Sequence, residues 1–210
     1  MEPEFVLLLA DRIGVFVFAL SGGILAVRKR MDIFGVVVLA CLPAIGGGTL
    51  RDLILDVPVF WLEDTTNITL ALIGGIVVFL AHPLIERINK PLRIVDAFGM
   101  ALFAVAGAAK TYGLGLSLPI VLTMGTMTAC AGGLIRDVVA NEDPLLLRQD
   151  IYATAALLAA LVFVIVITFG HSQLVAYGFG IGSGFALRVI AIRYQLSLPR
   201  APFRHNDNEP

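Results

Sequence analysis

The chain has 210 residues, of which 58% are hydrophobic and 15% charged, and its mean hydropathy is +0.91. Soluble domains carry about 25% charged residues, so this composition excludes an ordinary soluble enzyme and predicts an integral membrane protein. The formal net charge of -1 provides no basic field that would attract nucleic acid.

Seven apolar stretches approach the length of about 20 residues that a helix needs to cross a membrane. They are continuous and lack a period of two residues, which favours helices over a barrel of strands. We number them spans 1 to 7, at residues 5–27, 33–55, 68–85, 94–112, 118–139, 151–169 and 174–194. The predicted fold is one all-α transmembrane domain over residues 1–198 with a flexible tail at 199–210.

Basic residues are distributed unequally between the loops, which predicts the orientation of the chain. The loops after spans 1, 3 and 5 share one side with the C-terminus and hold ten of the 15 Lys and Arg residues, whereas the opposite loops hold only Lys110. Cytoplasmic loops carry the excess of Lys and Arg, so we expect a cytoplasmic C-terminus and an external N-terminus. The acidic start at residues 1–4 lacks the basic region of a signal peptide, so we expect span 1 to be retained.

The two halves of the chain align without a gap when they are shifted by 85 residues. Eleven positions between residues 11 and 52 are identical to their counterparts, among them Asp11 with Asp96, Arg51 with Arg136 and Asp52 with Asp137. Each repeat contains three spans, so the second copy enters the membrane from the opposite side. The sequence therefore predicts two inverted repeats, at about 5–87 and 91–170, and a seventh helix at about 174–196.

Both repeats place glycines in the middle of a span, one turn before an Arg-Asp pair. The motif residues are Gly46, Gly47, Gly48, Arg51 and Asp52 in span 2, and Gly132, Gly133, Arg136 and Asp137 in span 5. Each glycine costs about 1 kcal/mol relative to Ala in a helix interior, so we expect spans 2 and 5 to be kinked or broken there, with a contribution from Pro43 in span 2. The glycines and charges either line a pathway or serve packing and a structural ion pair.

Depth along the spans predicts two charge pairs. Asp11 lies about 9 Å and Arg51 about 6 Å from the outer ends of their spans, so we expect them to pair near the outer face. The reflected positions in the second repeat, Asp96 and Arg136, are expected to pair near the inner face. Lys110 is interpreted as an interfacial or vestibule lysine, and we expect Arg12 and Arg188 to extend towards the membrane surfaces.

The remaining chemistry-bearing residues predict neither catalysis nor a metal site. Cys41 and Cys130 lie inside apolar runs, and His82 and His171 have no second ligand at metal spacing. Phe60 and Trp61 are expected to anchor at the outer interface. We therefore expect a protein that is not an enzyme and needs no cofactor.

The doubled Gly-Gly-x-x-Arg-Asp motif in a seven-span chain of this length resembles the prokaryotic members of the trimeric intracellular cation channel (TRIC) family, over residues 5–195. The resemblance implies a homotrimer in the cell inner membrane, with lipids as its other partners. It also implies one pore per protomer, lined by the kinked spans 2 and 5, with K⁺ as the permeant ion. On this sequence the pore positions would be the glycines and Arg-Asp pairs named above.

A second interpretation keeps the same architecture but changes the transport mode. Related bacterial domains have been described as transporters of small amino acids, especially glycine. An alternating-access carrier needs a closed site at mid-membrane, whereas a channel needs one continuous wet path, and broken helices can supply either.

Overall fold

The computed structural model describes residues 3–85, 91–147 and 151–199, and the regular elements in these ranges are all helices. Their bounds are α1 (Pro3–Arg28), α2 (Ile33–Ile54), α3 (Phe60–Glu63), α4 (Thr66–Leu80), α5 (His82–Ile85), α6 (Pro91–Gly113), α7 (Leu118–Val139), α8 (Ala153–Thr168) and α9 (Gln173–Tyr194). Most of the predicted tail, residues 200–210, lies outside the described residues, as do the ends of the two repeat boundaries at 86–90 and 148–150.

Five helices in the described ranges are long and apolar enough to cross a membrane, namely α1, α2, α6, α7 and α9. Helices α4 and α8 are apolar but have only 15 and 16 residues, about 22–24 Å of helix against a hydrocarbon core of about 30 Å. Large apolar side chains such as Leu53, Leu80 and Phe179 are exposed on the outside of the bundle, where lipid would cover them.

Span 3 is shorter than its hydropathy predicts because Pro83 interrupts it. A proline lacks the N–H group that would continue the helical hydrogen bonds, and α4 ends at Leu80 before the short helix α5. The His82 ring takes over the carbonyl that Pro83 leaves free, since its Nδ1 lies 2.9 Å from the Phe79 oxygen. His82 therefore has a local capping role.

Helices α1 and α6 form the centre of the bundle: their apolar windows are 61% and 72% buried, against 33% for α9. The Phe18 and Phe103 rings stack between them with centroids 5.1 Å apart. Each ring also covers a glycine of the facing helix, Phe103 on Gly14 and Phe18 on Gly99. These contacts are reciprocal and 85 residues apart, as expected for two equivalent units that face each other.

Helices α2 and α7 cross in direct backbone contact. A Cβ on Gly47 would lie 2.2 Å from the Thr128 carbonyl oxygen, and a Cβ on Gly132 would lie 2.5 Å from the Pro43 oxygen. Because only glycine fits at such a distance, one glycine of each cluster is occupied by helix packing. This pair of contacts is again reciprocal at an offset of 85 residues.

The glycine clusters do not break either helix. The expectation of an interruption is wrong in this respect, since α2 and α7 each continue through the cluster for 22 residues. Pro43 leaves the Leu39 carbonyl without a helical donor, but this oxygen faces Gly22 of α1, where an added Cβ would lie 2.1 Å away. Close packing, which glycine permits, offsets the low helix propensity of the clusters.

Candidate functional site

Arg51, Asp52, Lys110 and Phe60 form a buried charged group at one end of α6, which we call the Arg51 cluster. The Asp52 Oδ1 atom accepts from Arg51 Nε at 2.7 Å and from Lys110 Nζ at 2.8 Å. Its Oδ2 atom accepts from the Phe60 backbone N–H at 3.0 Å. The Arg51 guanidinium lies 5.7 Å from the centroid of the Phe60 ring. Asp52 is therefore the acceptor that holds α2, α6 and the start of α3 together.

Asp11 is not the direct partner of Arg51, which differs from the depth argument. Among the described residues, Arg51 forms its ion pair with Asp52, and the buried Oδ1 atom of Asp11 has no hydrogen-bond partner. Asp11 interacts with Arg51 and Lys110 only through longer-range electrostatics. Depth places these residues at one end of the bundle, but the rotation of each helix decides which side chain touches which.

A second group lies at the other end of α6 and comprises Arg136, Asp96, Asp137 and Ser21; we call it the Arg136 cluster. Arg136 Nη1 lies 2.5 Å from Asp96 Oδ1 and donates to the Ser21 hydroxyl, while Arg136 Nε donates to Asp137 Oδ1 at 2.8 Å. Asp137 Oδ2 accepts from the Leu145 N–H at 2.9 Å. The structure thus places Asp96 and Arg136 in contact.

The two clusters share one local design. An arginine binds the next residue's carboxylate, and that carboxylate accepts the N–H group located eight residues further on, Phe60 in one case and Leu145 in the other. Lys110 and Asp96, which mark the two clusters, are 14 residues apart on α6, or about 21 Å at 1.5 Å per residue.

The clusters differ in their third charged partner. Asp52 receives Lys110, whereas the counterpart of Lys110 at an offset of 85 residues is Leu25. The Arg136 cluster instead gains Ser21, whose counterpart is Ala106. Arg136 is shared by two carboxylates, so this group carries one more negative charge than positive charge, while Arg51 and Lys110 exceed Asp52 by one positive charge.

The other glycines of the motifs face different surroundings. Gly48 lies under the Phe60 ring, where an added Cβ would be 2.6 Å from a ring carbon, and Gly46 faces the end of Ile135. Gly133 has its open face towards the Arg136 cluster: a Cβ there would lie 3.1 Å from the Tyr152 hydroxyl and 3.6 Å from Asp96 Oδ1. Of the five motif glycines, Gly133 is the one that borders charged side chains.

Arg188 is fully buried, so the expectation that it extends to the membrane surface is wrong. It is 1% exposed, lies 4.9 Å above the Tyr152 ring and donates to the Ile151 carbonyl oxygen at 3.2 Å. A cation held over an aromatic face away from water gains up to about 2 kcal/mol, which provides the alternative to the interface. Tyr152 and Arg188 were missed because their partners are distant in sequence.

Arg12 reaches the surface at the end of the bundle where α4 begins. Its Nη2 atom lies 2.9 Å from Asp64 Oδ2, and both side chains are partly exposed. Hydrogen bonds from Thr66 and then from Arg12 lower the pKa of Asp64 to about 2. Phe60, by contrast, is 8% exposed and packs inside the bundle, so the expectation of an interfacial anchor applies only to Trp61, whose Nε1–H donates to Thr49 Oγ1 at 2.9 Å.

A cavity of about 340 Å³ adjoins the Arg136 cluster. Its lining is charged with both signs and includes Arg28, Lys29, Arg93, Asp137, Glu142 and Asp143. Lys29 and Glu142 form an ion pair of 2.7 Å at its edge. The cavity gives water a route towards Asp137. Within the described part of the chain, no three His, Cys, Asp or Glu side chains come together as a metal site.

A family model described as "Glycine transporter" matches the chain twice, at residues 8–83 and 93–168. The two matches begin 85 residues apart, which is the offset of the internal repeat. The "UPF0126 membrane protein" of Vibrio cholerae is 41% identical over 198 residues, covering 92% of this chain and 82% of the relative. The "UPF0126 inner membrane protein YadS" of Escherichia coli is 39% identical over 192 residues, covering 90% and 93%.

Solved structures of channels have the same fold. The TRIC trimeric intracellular cation channel orthologue from Rhodobacter sphaeroides is 37% identical, with a TM-score of 0.83 over 91% of this chain and 99% of that one. A structure described as a prokaryotic TRIC channel in 0.5 M KCl is 32% identical, with a TM-score of 0.84 over 93% and 100%. These relatives are channels and not enzymes, which supports the expectation of a protein without catalytic activity.

Proposed function

This chain belongs to the UPF0126 family and is a prokaryotic member of the TRIC channel family, and from that premise we propose that it forms a cation channel of the cell inner membrane. The permeant ion is K⁺, each protomer has its own pore, and three protomers assemble. The similarity to TRIC channels over more than nine tenths of the chain supports this function.

The observation that carries the proposal is the pair of charge clusters buried at the two ends of α6. Arg51, Asp52 and Arg136 are essentially inaccessible to water in this structure. A charged residue at the centre of a membrane helix costs about 2.5–3.5 kcal/mol on insertion scales, and such residues mark ion pathways by default. Two clusters at opposite ends of one helix mark the two ends of such a pathway.

The path passes along α2 and α7 from the Arg51 cluster to the Arg136 cluster, and both ends are closed in this structure. At one end, the Lys110 ammonium occupies the carboxylate oxygen that an entering cation would use. At the other end, Arg136 occupies Asp96 and Asp137. Opening requires these ion pairs to separate, and a kink at the glycine clusters of α2 and α7 is the movement we assign to it. Weak binding at several carboxylate and carbonyl sites suits conduction of a monovalent cation.

The architecture is two inverted three-helix repeats, α1–α2–α4 and α6–α7–α8, followed by α9. The reciprocal contacts at an offset of 85 residues and the double match to one family model support it. In this arrangement α4 and α8 also cross the membrane, giving seven spans. A short apolar helix is accommodated when the bilayer thins locally. The Arg51 cluster then lies near the outside and the Arg136 cluster near the cytoplasm.

Recording from the purified protein in a planar bilayer under a KCl gradient tests the channel. Unitary currents that reverse close to the K⁺ equilibrium potential are expected. Gly133→Leu should abolish them, because its side chain enters the space beside Tyr152, Asp96 and Arg136. Gly113→Leu is the matched control, since a Cβ at Gly113 meets nothing within 4 Å. Unchanged conductance and selectivity in a correctly assembled Gly133→Leu protein would remove the pore from this position.

A glycine carrier is the second candidate, and the description of the matching family model favours it. The same clusters contain both signs of charge, which a zwitterion needs. Proteoliposomes that take up labelled glycine at a saturable rate, but pass no unitary K⁺ current, would replace the channel by a carrier. Currents without glycine uptake support the channel.

The homotrimer is tested by native mass spectrometry in mild detergent. A peak at three times the mass of the 22.4 kDa chain is the expected result. Monomers or dimers alone, under conditions that preserve a known membrane trimer measured in parallel, would contradict the assembly.

A further inference from the structure

Arg188 is a buried cation that belongs to neither repeat. It lies on α9, beyond the two family-model matches that end at residues 83 and 168. Its guanidinium contacts two groups of the segment before α8, the Tyr152 ring at 4.9 Å and the Ile151 carbonyl oxygen at 3.2 Å. The last helix therefore holds the start of α8 from the side.

Tyr152 connects this contact to the Arg136 cluster. It is 2% exposed and immediately precedes α8. Its hydroxyl lies 3.1 Å from the point that a Cβ on Gly133 would occupy, and Arg136 Nη2 and Asp96 Oδ1 each lie 3.6 Å from the same point. The hydroxyl, the guanidinium and the carboxylate thus meet at the open face of Gly133.

We propose that Arg188 is a positioning residue for the gate at the Arg136 cluster: it holds Tyr152 so that the tyrosine hydroxyl closes the path in front of Gly133. This inference rests on the proposed channel function and names the residues that set the closed state at one end. Arg188 acts through Tyr152 and does not touch the Asp96–Arg136 pair in any described contact.

The choice of side chain at position 188 supports a role beyond packing. An apolar residue of similar volume fills a buried site in a membrane at lower cost than a charge does. Arginine has two properties that such a residue lacks, since its planar guanidinium stacks on a ring and donates to a carbonyl at the same time. Both contacts are made, and both fix the orientation of Tyr152.

The two gates would then be held by different devices. At the Arg51 cluster, Lys110 of α6 pairs directly with Asp52. At the Arg136 cluster, the corresponding position is Leu25, and the closing element is an uncharged tyrosine hydroxyl held from α9. This difference leaves the second gate open to independent change by mutation.

Single-channel recording of Arg188→Met in symmetric KCl tests the proposal. We expect the open probability to rise about fivefold, the effect of weakening a contact of ordinary strength, with the unitary conductance unchanged because Arg188 does not line the path. Arg188→Lys retains the charge over the ring and should give a smaller rise. Arg193→Met, on the same helix and without a stacked ring among its described contacts, is the matched control and should behave as the unmodified protein.

A double-mutant cycle with Tyr152→Leu separates positioning from general loosening. If Arg188 acts through Tyr152, adding Arg188→Met to Tyr152→Leu has no further effect on open probability. Additive effects, or an unchanged open probability in Arg188→Met, overturn the proposal. If Arg188→Met does not assemble, Arg188→Lys and Tyr152→Phe, which keep the volume, decide the question by the same readout. Absence of unitary currents in the unmodified protein would instead contradict the channel function itself.

Discussion

At the scale of single residues, the four buried aspartates of the two clusters are not equivalent. Asp52 accepts from two cations and one backbone N–H group, whereas Asp11 has an oxygen that no described donor reaches. A carboxylate that satisfies several donors becomes costly to remove, because its partners keep their desolvation penalty. A carboxylate without direct partners contributes no such coupling.

We therefore expect Asp52→Asn to destabilise the protein by about 3–5 kcal/mol, the range for removing one partner of a buried ion pair. Asp11→Asn should change stability by less than about 1 kcal/mol, because it removes only longer-range interactions. The unfolding temperature of both variants in the same detergent provides the comparison. Equal losses for the two variants would mean that Asp11 is a direct partner of Arg51 after all.

At the scale of elements, the crossing of α2 and α7 explains why two glycines recur at an offset of 85 residues. Gly47 lies on the Thr128 carbonyl and Gly132 lies on the Pro43 carbonyl. Each helix supplies both a glycine and a carbonyl, so the contact is mutual and one crossing uses both copies of the motif. Small residues let membrane helices approach at this distance.

Gly47→Ala and Gly132→Ala should each destabilise the bundle by about 1–3 kcal/mol, because an added methyl group overpacks a tight contact and must displace backbone. Gly113→Ala, where a Cβ meets nothing within 4 Å, should leave stability unchanged or raise it by a fraction of the about 1 kcal/mol helix preference for Ala. Thermal unfolding in detergent measures all three. A crossing that tolerates alanine at both positions would show that the helices can separate there without cost.

At the scale of the whole molecule, the charge distribution determines orientation, and the structure itself contains no membrane that would show it. The basic side chains Arg28, Lys29 and Arg93 line one cavity beside the Arg136 cluster. Lys110, the basic side chain of the opposite loops, is bound to Asp52 at the other end. The positive-inside rule therefore places the cavity on the cytoplasmic side.

A reporter that is active only in the cytoplasm should function when fused after Pro210 and fail when fused before Met1. A reporter active only outside the cell should give the reverse pattern. The control is each reporter on a membrane protein of known orientation in the same strain. Cytoplasmic activity at the N-terminus together with its absence at the C-terminus would reverse the topology and exchange the two ends of the path.

Several properties of this protein follow from its sequence alone. Hydropathy places the helices within a few residues of their ends in the structure, because the cost of putting a polar backbone or side chain into lipid depends on local composition. The offset of 85 residues and the doubled Arg-Asp motif locate both charge clusters before any contact is known. The motif also led to the family, which the double family-model match and the curated relatives show.

Only the tertiary structure decided which side chains touch. Depth along a helix is a one-dimensional quantity, whereas contact also needs the rotation of each helix and the points at which helices cross; this is why Arg51 pairs with Asp52 and not with Asp11. The same reason applies to Arg188, which finds the Tyr152 ring 36 residues away in the chain and remains buried. It applies again to the glycine clusters, where the approach of α2 to α7 stabilises two continuous helices whose local sequence favours a break.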